Sequence, residues 1–318
     1  MAVYTRVPTE TLRDFLTRFD AGELRSAKGI AEGVENSNYL VDTTTGRFIL
    51  TLYEKRVSAE DLPFFMALLD HLAARDQPVP PAIADRAGRE IHELAGRPAC
   101  LIRFLPGVSV TRPTPAQARS AGAALGRMHA ALGDFDRVRP NSMGLESWRP
   151  LLDRCGGDLD RIAPDLFARI DTALAQVTAA WPAGLPRSAI HADLFPDNVL
   201  MLGDEVTGLI DFYFACTDLR ALDLAIMHGA WAFDDAGRTL ERDVSHALMA
   251  GYAEAFGLRD DERAALPVLA RGACIRFFLT RAWDWLNTPA DAMVTRKDPL
   301  AYLRRLEIYE RLGEEAFA

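Results

Sequence analysis

Apolar residues recur along this chain with two different periods, and the change from one to the other divides it. Residues 9–19 place Leu12, Phe15, Leu16 and Phe19 on one face of a helix that Thr9 or Thr11 can cap. Leu40 and Val41 belong to a strand, residues 43–46 make a turn, and residues 47–53 return as a second strand. Residues 58–74 turn Leu62, Phe65, Met66, Leu69 and Leu72 inward from another helix. The proline-rich stretch 77–83 then leads to a second strand pair, 90–93 and 98–104. Leu105-Pro106-Gly107 ends that strand abruptly.

Beyond this break the spacing becomes helical. Residues 115–132 carry Ala121, Leu125, Met128 and Leu132 on one face, with His129 on or near it as a core histidine. Residues 141–150 read as a loop. Residues 151–181 hold one or two helices, interrupted near Cys155-Gly156-Gly157 and at Pro164. Further helices are expected at 241–256, 260–269 and 298–312, with an apolar and aromatic segment at 270–286. The fold class is therefore α+β, with a small antiparallel β lobe over residues 1–104 and a larger, mainly helical lobe over 105–318.

Composition narrows the function. The 318 residues suffice for two lobes, and 49% hydrophobic with 25% charged residues is a globular balance. A formal charge of −9 argues against nucleic acid or an anionic membrane as the main partner. No run approaches the roughly 20 apolar residues of a membrane span, and no signal-type segment opens the chain, so a cytoplasmic protein is expected. The four cysteines, Cys100, Cys155, Cys216 and Cys274, are scattered without zinc spacing and read as small buried residues.

The chemistry concentrates in residues 190–214, IHADLFPDNVLMLGDEVTGLIDFYF. H-x-D-x-x-x-x-N, a short hairpin and then I-D-F is the order of parts that kinase-like folds use for phosphoryl transfer. In that order Asp193 takes or orients the proton of an attacking hydroxyl, and Asn198 and Asp211 are hard oxygen ligands for Mg²⁺. The plainer reading is a proline turn at Pro196. Its position between two apolar strands favours the chemistry. His191 reads as a loop-fixing residue, and Asp223 as a tie from the following helix back to the loop. In the small lobe, Gly33, Asn36, Ser37 and Asn38 form a loop that could cover phosphates with backbone N–H groups and small polar side chains. Backbone groups between Arg103 and Leu105, at the break between lobes, are candidates for an adenine edge. No G-x-x-x-x-G-K-[ST] occurs, which excludes the P-loop class.

HADLFPDN, LIDFYFAC and GVENSNYLV together resemble the bacterial homoserine kinases that have a protein-kinase-like fold, grouped with the aminoglycoside phosphotransferases and choline kinases. The resemblance extends through FILTLYEKR, RFLPG, LGRMHAAL, FDDAGR and IRFFLTRAWDWL. It implies a bilobal protein-kinase-like fold with a nucleotide-binding N-terminal lobe, and ATP and Mg²⁺ as cofactors. It also implies L-homoserine as the small-molecule substrate, phosphorylated on its side-chain hydroxyl, with Asp193 as catalytic base and Asn198 and Asp211 on the metal. An amino acid substrate needs a cation for its carboxylate, for which Arg276 and Arg281 are candidates, and an acceptor for its ammonium, for which Asp234 and Tyr213 are candidates. One departure stands out. Where the kinase pattern offers a phosphate-binding lysine, this chain has Thr51, and the nearest lysine is Lys55. Other readings remain open: a kinase of another small alcohol such as an aminoglycoside, choline or ethanolamine, or a nucleotide-binding regulator without turnover. The pattern does not separate a monomer from a dimer.

Overall fold

The computed structural model describes residues 5–30, 36–54, 57–288 and 296–318. The chain divides after Pro106 into two compact units. The first holds α1 (Thr9–Leu16), α2 (Leu62–Ala73) and five strands, β1 (Leu24–Gly29), β2 (Ser37–Thr43), β3 (Arg47–Leu52), β4 (His92–Leu94) and β5 (Arg97–Arg103). The strands form one antiparallel sheet in the order β1-β2-β3-β5-β4. Strict alternation along β2 sets its register: Ser37, Tyr39, Val41 and Thr43 are buried, while Asn38, Leu40 and Asp42 lie between them half-buried. Tyr39 and Val41 join Leu50, Leu52, Ala99 and Leu101 in a core covered by Leu12, Phe15, Leu16 and Phe19. Burying each such side chain contributes about 1.5–3 kcal/mol. α1 stops at Leu16, short of residue 19, because the chain tightens: Arg18 and Phe19 donate their N–H groups to Phe15 and Leu16, three residues back. Phe19 still reaches the core.

The second unit carries α3 (Pro115–Ala131), α4 (Leu145–Cys155), α5 (Leu166–Ala180), α6 (Arg220–Trp231), α7 (Arg242–Ala255), α8 (Asp260–Asn287) and α9 (Leu300–Leu312). Two short antiparallel pairs sit among them. One joins β6 (Arg187–Ile190) to β9 (Cys216–Leu219), and the other joins β7 (Val199–Leu202) to β8 (Glu205–Leu209). A capping box between Thr114 and Gln117 starts α3. α3 then meets α7 backbone to backbone. A Cβ on Gly122 would stand 2.2 Å from the Leu248 carbonyl oxygen, and one on Gly251 would stand 2.0 Å from that of Arg119. Only glycine permits this approach, which fixes where the end of α3 delivers His129.

Two local expectations need correction. Residues 145–150 are helical rather than loop, because Trp148, Leu152 and Cys155 recur at helical spacing and are buried, and this burial outweighs the hydrogen bond lost at Pro150. Residues 260–287 form one helix, not a helix followed by a separate segment. Pro267 lies inside it, flanked by buried Leu266, Leu269 and Ala270. All four cysteines are buried thiols. No described helix is long and apolar enough to cross a membrane.

Candidate active site

The loop from His191 to Asn198 follows β6 and is held in an uncommon backbone conformation. Ala192 has φ +62°, in the left-handed region that a residue with a Cβ rarely occupies. Asp223, fully buried on α6, over-determines it. Its Oδ2 accepts from His191 N (2.8 Å) and its Oδ1 from Ala192 N (2.7 Å). From the other side His129 Nε2 stands 3.1 Å from the same Oδ2, and His129 Nδ1 is 2.8 Å from the Tyr252 hydroxyl. His129 thus bridges the two, with one ring nitrogen on Asp223 and the other on the Tyr252 hydroxyl. Burial alone would push the Asp223 carboxyl up. Hydrogen bonds from His129 and from the backbone N–H of His191 instead hold it below the usual carboxylate range. Arg276 on α8 completes the frame by donating from Nη1 to the Ala192 carbonyl (2.6 Å).

His191 works inward. Its Nε2 meets the Ile210 carbonyl (2.9 Å), and its Nδ1 accepts from Asp193 N (3.3 Å). Burial lowers its pKa, consistent with a neutral ring that donates from Nε2. Trp231 Nε1 donates to the Leu194 carbonyl (2.9 Å).

Asn198 links to Asp193 directly and to Asp211 through the residue before it. Asn198 Nδ2 donates to the Asp193 carbonyl (2.7 Å) and to Asp193 Oδ2 (3.3 Å). Ile210 N donates to the Asn198 carbonyl (3.0 Å), which brings the residue preceding Asp211 against Asn198. The β7–β8 hairpin closes the distance in sequence between them, with Val199 opposite Leu209. Asp211 sits at φ +65°, and its Oδ1 is screened from solvent. With its amide nitrogen committed to Asp193, Asn198 presents its side-chain oxygen as its remaining polar atom. The donor set is thus one carboxylate and one amide oxygen, which fits Mg²⁺, an ion that keeps several waters and takes phosphate oxygens. No group of three His, Cys, Asp or Glu side chains among the described residues forms a metal cage.

The small-lobe candidates separate. Gly33, like Lys55, lies outside the described residues. Ser37 does not face outward from a loop. Its side chain is on the buried face of β2, where the hydroxyl donates to Glu54 Oε1 (2.7 Å) and accepts from Thr5 N (3.0 Å). The alternation of β2 forces this placement. Asn36 is also buried and accepts from Glu54 N (3.3 Å). Asn38 is half-buried, and its Oδ1 accepts from the Thr51 hydroxyl (2.8 Å), so the residue at the expected lysine position orients an amide. Arg103 N donates to the Pro81 carbonyl (3.1 Å), and Leu105 follows β5 outside any element.

Among the substrate candidates, Tyr213 is half-buried in the turn after Asp211. Asp234 Oδ1 accepts from Arg238 N (2.6 Å) and Thr239 N (2.8 Å), which commits that oxygen to its own turn. Arg281 on α8 stacks on Tyr302 at 4.6 Å, and the charges of Asp193 and Asp197 act on it. Sequence reasoning passed over Tyr302 and Arg305, both buried on α9. LAYLRRLEIYERL gives no local signal for them, because their neighbours come from α8 and from residues near 234. A separate cleft lined by Arg169, Gln176, Arg271, Glu307 and Glu310 contains none of the predicted residues.

Comparison with known proteins identifies the family. The family model described as "Phosphotransferase enzyme family" matches residues 26–266. A homoserine kinase of Gluconobacter oxydans is 53% identical over 312 residues, covering 98% of each chain. One of Zymomonas mobilis is 52% identical over 318 residues, covering 99% of each. Among solved structures, an amicoumacin kinase in complex with AMP-PNP and Ca²⁺ superposes with a TM-score of 0.71 at 14% identity, covering 96% of this chain and 94% of that one. A microcompartment-associated aminopropanol kinase reaches 0.70 at 18% identity, covering 98% and 99%. These two carry the fold, a small antiparallel sheet followed by a helical unit as in the aminoglycoside phosphotransferases and choline kinases. The identity across nearly the whole length carries the rest: the chain belongs to the homoserine kinase family, within the phosphotransferase enzymes.

Proposed function

We propose that this enzyme transfers the γ-phosphoryl group of ATP to the side-chain hydroxyl of L-homoserine, giving O-phospho-L-homoserine in the cytoplasm for threonine biosynthesis. Membership of the homoserine kinase family supports the substrate. One observation supports the mechanism: Asn198 bonds the Asp193 carboxylate through its side chain and Ile210 through its backbone, so that Asp193, Asn198 and Asp211 converge.

Asp193 receives the substrate hydroxyl and aligns it for in-line attack. Carboxylates in general are weak bases at neutral pH. Asp193 therefore orients the hydroxyl and accepts the proton late, as a loose phosphoryl-transfer transition state allows. Asn198 and Asp211 would hold Mg²⁺, which supplies charge neutralisation at the phosphates when bound. Asp223, His129 and Arg276 keep Ala192 in its left-handed conformation and so hold Asp193 in place. In the N-terminal unit, Asn38, held by Thr51, and the backbone near Asn36 are assigned to the phosphates, and Arg103–Leu105 to the adenine.

The test is coupled ATP consumption with L-homoserine, L-serine, choline, ethanolamine and kanamycin. Turnover should favour homoserine, and Asp193→Asn should lower kcat by about 10²–10⁴-fold while leaving the unfolding temperature unchanged. Turnover with another alcohol instead would remove the homoserine assignment and keep the roles of the three residues.

A further inference from the structure

Buried charge is expensive unless it is paired, and most of this unit obeys that rule. Glu262, fully buried, takes Arg220 bidentately at 2.6 and 2.7 Å. The wall made by α8 and α9 does not obey it. Arg276 and Arg305 are buried and Arg281 is half-buried, and none makes an ion pair with a carboxylate among the described residues. Arg276 donates to the Ala192 carbonyl, and Arg305 Nη2 to the Asp234 carbonyl (3.1 Å). Arg281 makes one long bond to the Asp298 carbonyl (3.4 Å).

Two of these arginines share one ring. Arg281 and Arg305 stand 4.6 and 4.5 Å from the centroid of Tyr302, which also stacks on Phe277 at 5.1 Å. The Tyr302 hydroxyl and Arg305 Nε are both screened from solvent and have no hydrogen-bond partner among the described residues. Adjacent orphaned donors of this kind, beside two like charges, describe a site short of an anion. The catalytic loop is next to it: Phe195 packs on Phe277 at 4.9 Å and lies 6.5 Å from Tyr302. Burial pushes the Tyr302 hydroxyl up to about 12, so at neutral pH it is a donor.

Resting on the homoserine reading above, we propose that Arg281, Tyr302 and Arg305 form the subsite for the substrate's α-carboxylate. Arg281, the most exposed of the three, takes the carboxylate directly, with the Tyr302 hydroxyl and the Arg305 charge behind it. Arg276 is then a positioning residue for the Ala192 carbonyl, outside this subsite. The rival account is that the positive cluster serves Asp193, whose charge also acts on Arg281 and Tyr302.

The experiment compares L-homoserine with 3-amino-1-propanol, the same amino alcohol without its carboxylate, in the full-length enzyme and in Arg281→Gln and Tyr302→Phe. Arg281→Gln should raise the KM for homoserine by about 10–100-fold and Tyr302→Phe by a smaller factor. The KM for ATP and turnover of 3-amino-1-propanol should not change. Parallel loss with both substrates would overturn the proposal in favour of the service to Asp193, and unchanged homoserine kinetics would overturn it outright. Ligand-induced shifts in unfolding temperature give a second readout independent of turnover. L-homoserine should stabilise the wild type and not Arg281→Gln. If the wild type neither phosphorylates homoserine nor prefers it, the functional reading fails. Even then, a homoserine-induced shift that disappears in Arg281→Gln upholds the subsite, and the absence of any shift overturns it.

Discussion

Two buried polar clusters flank the catalytic loop, and they are built on opposite principles. Behind the loop, Asp223, His129, Tyr252 and the N–H groups of His191 and Ala192 pair completely. On the α8–α9 wall, the Tyr302 hydroxyl and Arg305 Nε have no hydrogen-bond partner among the described residues. The difference separates scaffold from site. A closed network stabilises one conformation and offers nothing to a ligand, whereas an open one costs stability that a ligand can return. A third cluster belongs with the first. His228 meets Tyr309 Oη at 2.6 Å and Ser245 Oγ at 2.8 Å, and Ser245 donates to the Ala316 carbonyl. It anchors the C-terminal residues and is far in function from the chemistry.

The largest effect should come from opening the closed cluster. Asp223→Ala leaves His129 and two backbone N–H groups without their acceptor and removes what holds Ala192 at φ +62°. The expected loss is about 3–5 kcal/mol in urea or thermal unfolding, with activity abolished. A variant that unfolds like the wild type would show that the loop does not depend on Asp223.

Acid should attack the closed clusters next. Burial lowers His228 from its ordinary 6.5 to about 3, and burial lowers His191 as well. A histidine whose pKa is lowered in the folded state stabilises fully above pH 6.5, and that contribution is lost as the pH falls toward the folded value. His228 alone should forfeit about 3 kcal/mol by pH 4. Unfolding free energies measured between pH 7 and pH 4 test the sign, and a flat profile would mean that His228 titrates normally.

The contrast also marks what the sequence can reveal. Asp193, Asn198 and Asp211 fall within nineteen residues of one another, and a spacing that short survives as a pattern. The strand–turn–strand organisation of residues 40–53 was legible for the same reason, since alternation is local. Ser37 was misassigned because a polar residue on the inward face of β2 looks like a loop residue until Glu54 and Thr5 are seen around it. β1 was missed because LRSAKG is exposed on both faces and shows no alternation. The expected loop at 141–150 and the expected boundary after residue 269 both give way where buried neighbours recur at helical spacing. Tyr302 and Arg305 depend on residues about 20 to 110 positions away, Arg281 and Phe195 among them, and no local period encodes such a meeting.

The smallest effect gives the sharpest test, because it compares one chemical change at three tyrosines. Tyr252→Phe and Tyr309→Phe each remove a hydroxyl bonded to a buried histidine nitrogen, at 2.8 and 2.6 Å, and should each cost about 1–2 kcal/mol. Tyr302→Phe removes a hydroxyl that bonds nothing among the described residues while keeping the ring between Arg281 and Arg305. Deleting an unsatisfied buried group relieves a desolvation cost, so this variant should be neutral or up to about 1 kcal/mol more stable in the ligand-free enzyme. Stabilisation by added L-homoserine should fall in Tyr302→Phe alone. If all three variants lose equally, the Tyr302 hydroxyl is as closed as the others and the contrast between scaffold and site fails at that residue. If Tyr302→Phe gains stability while losing its response to homoserine, the open cluster is where the enzyme keeps its affinity in reserve.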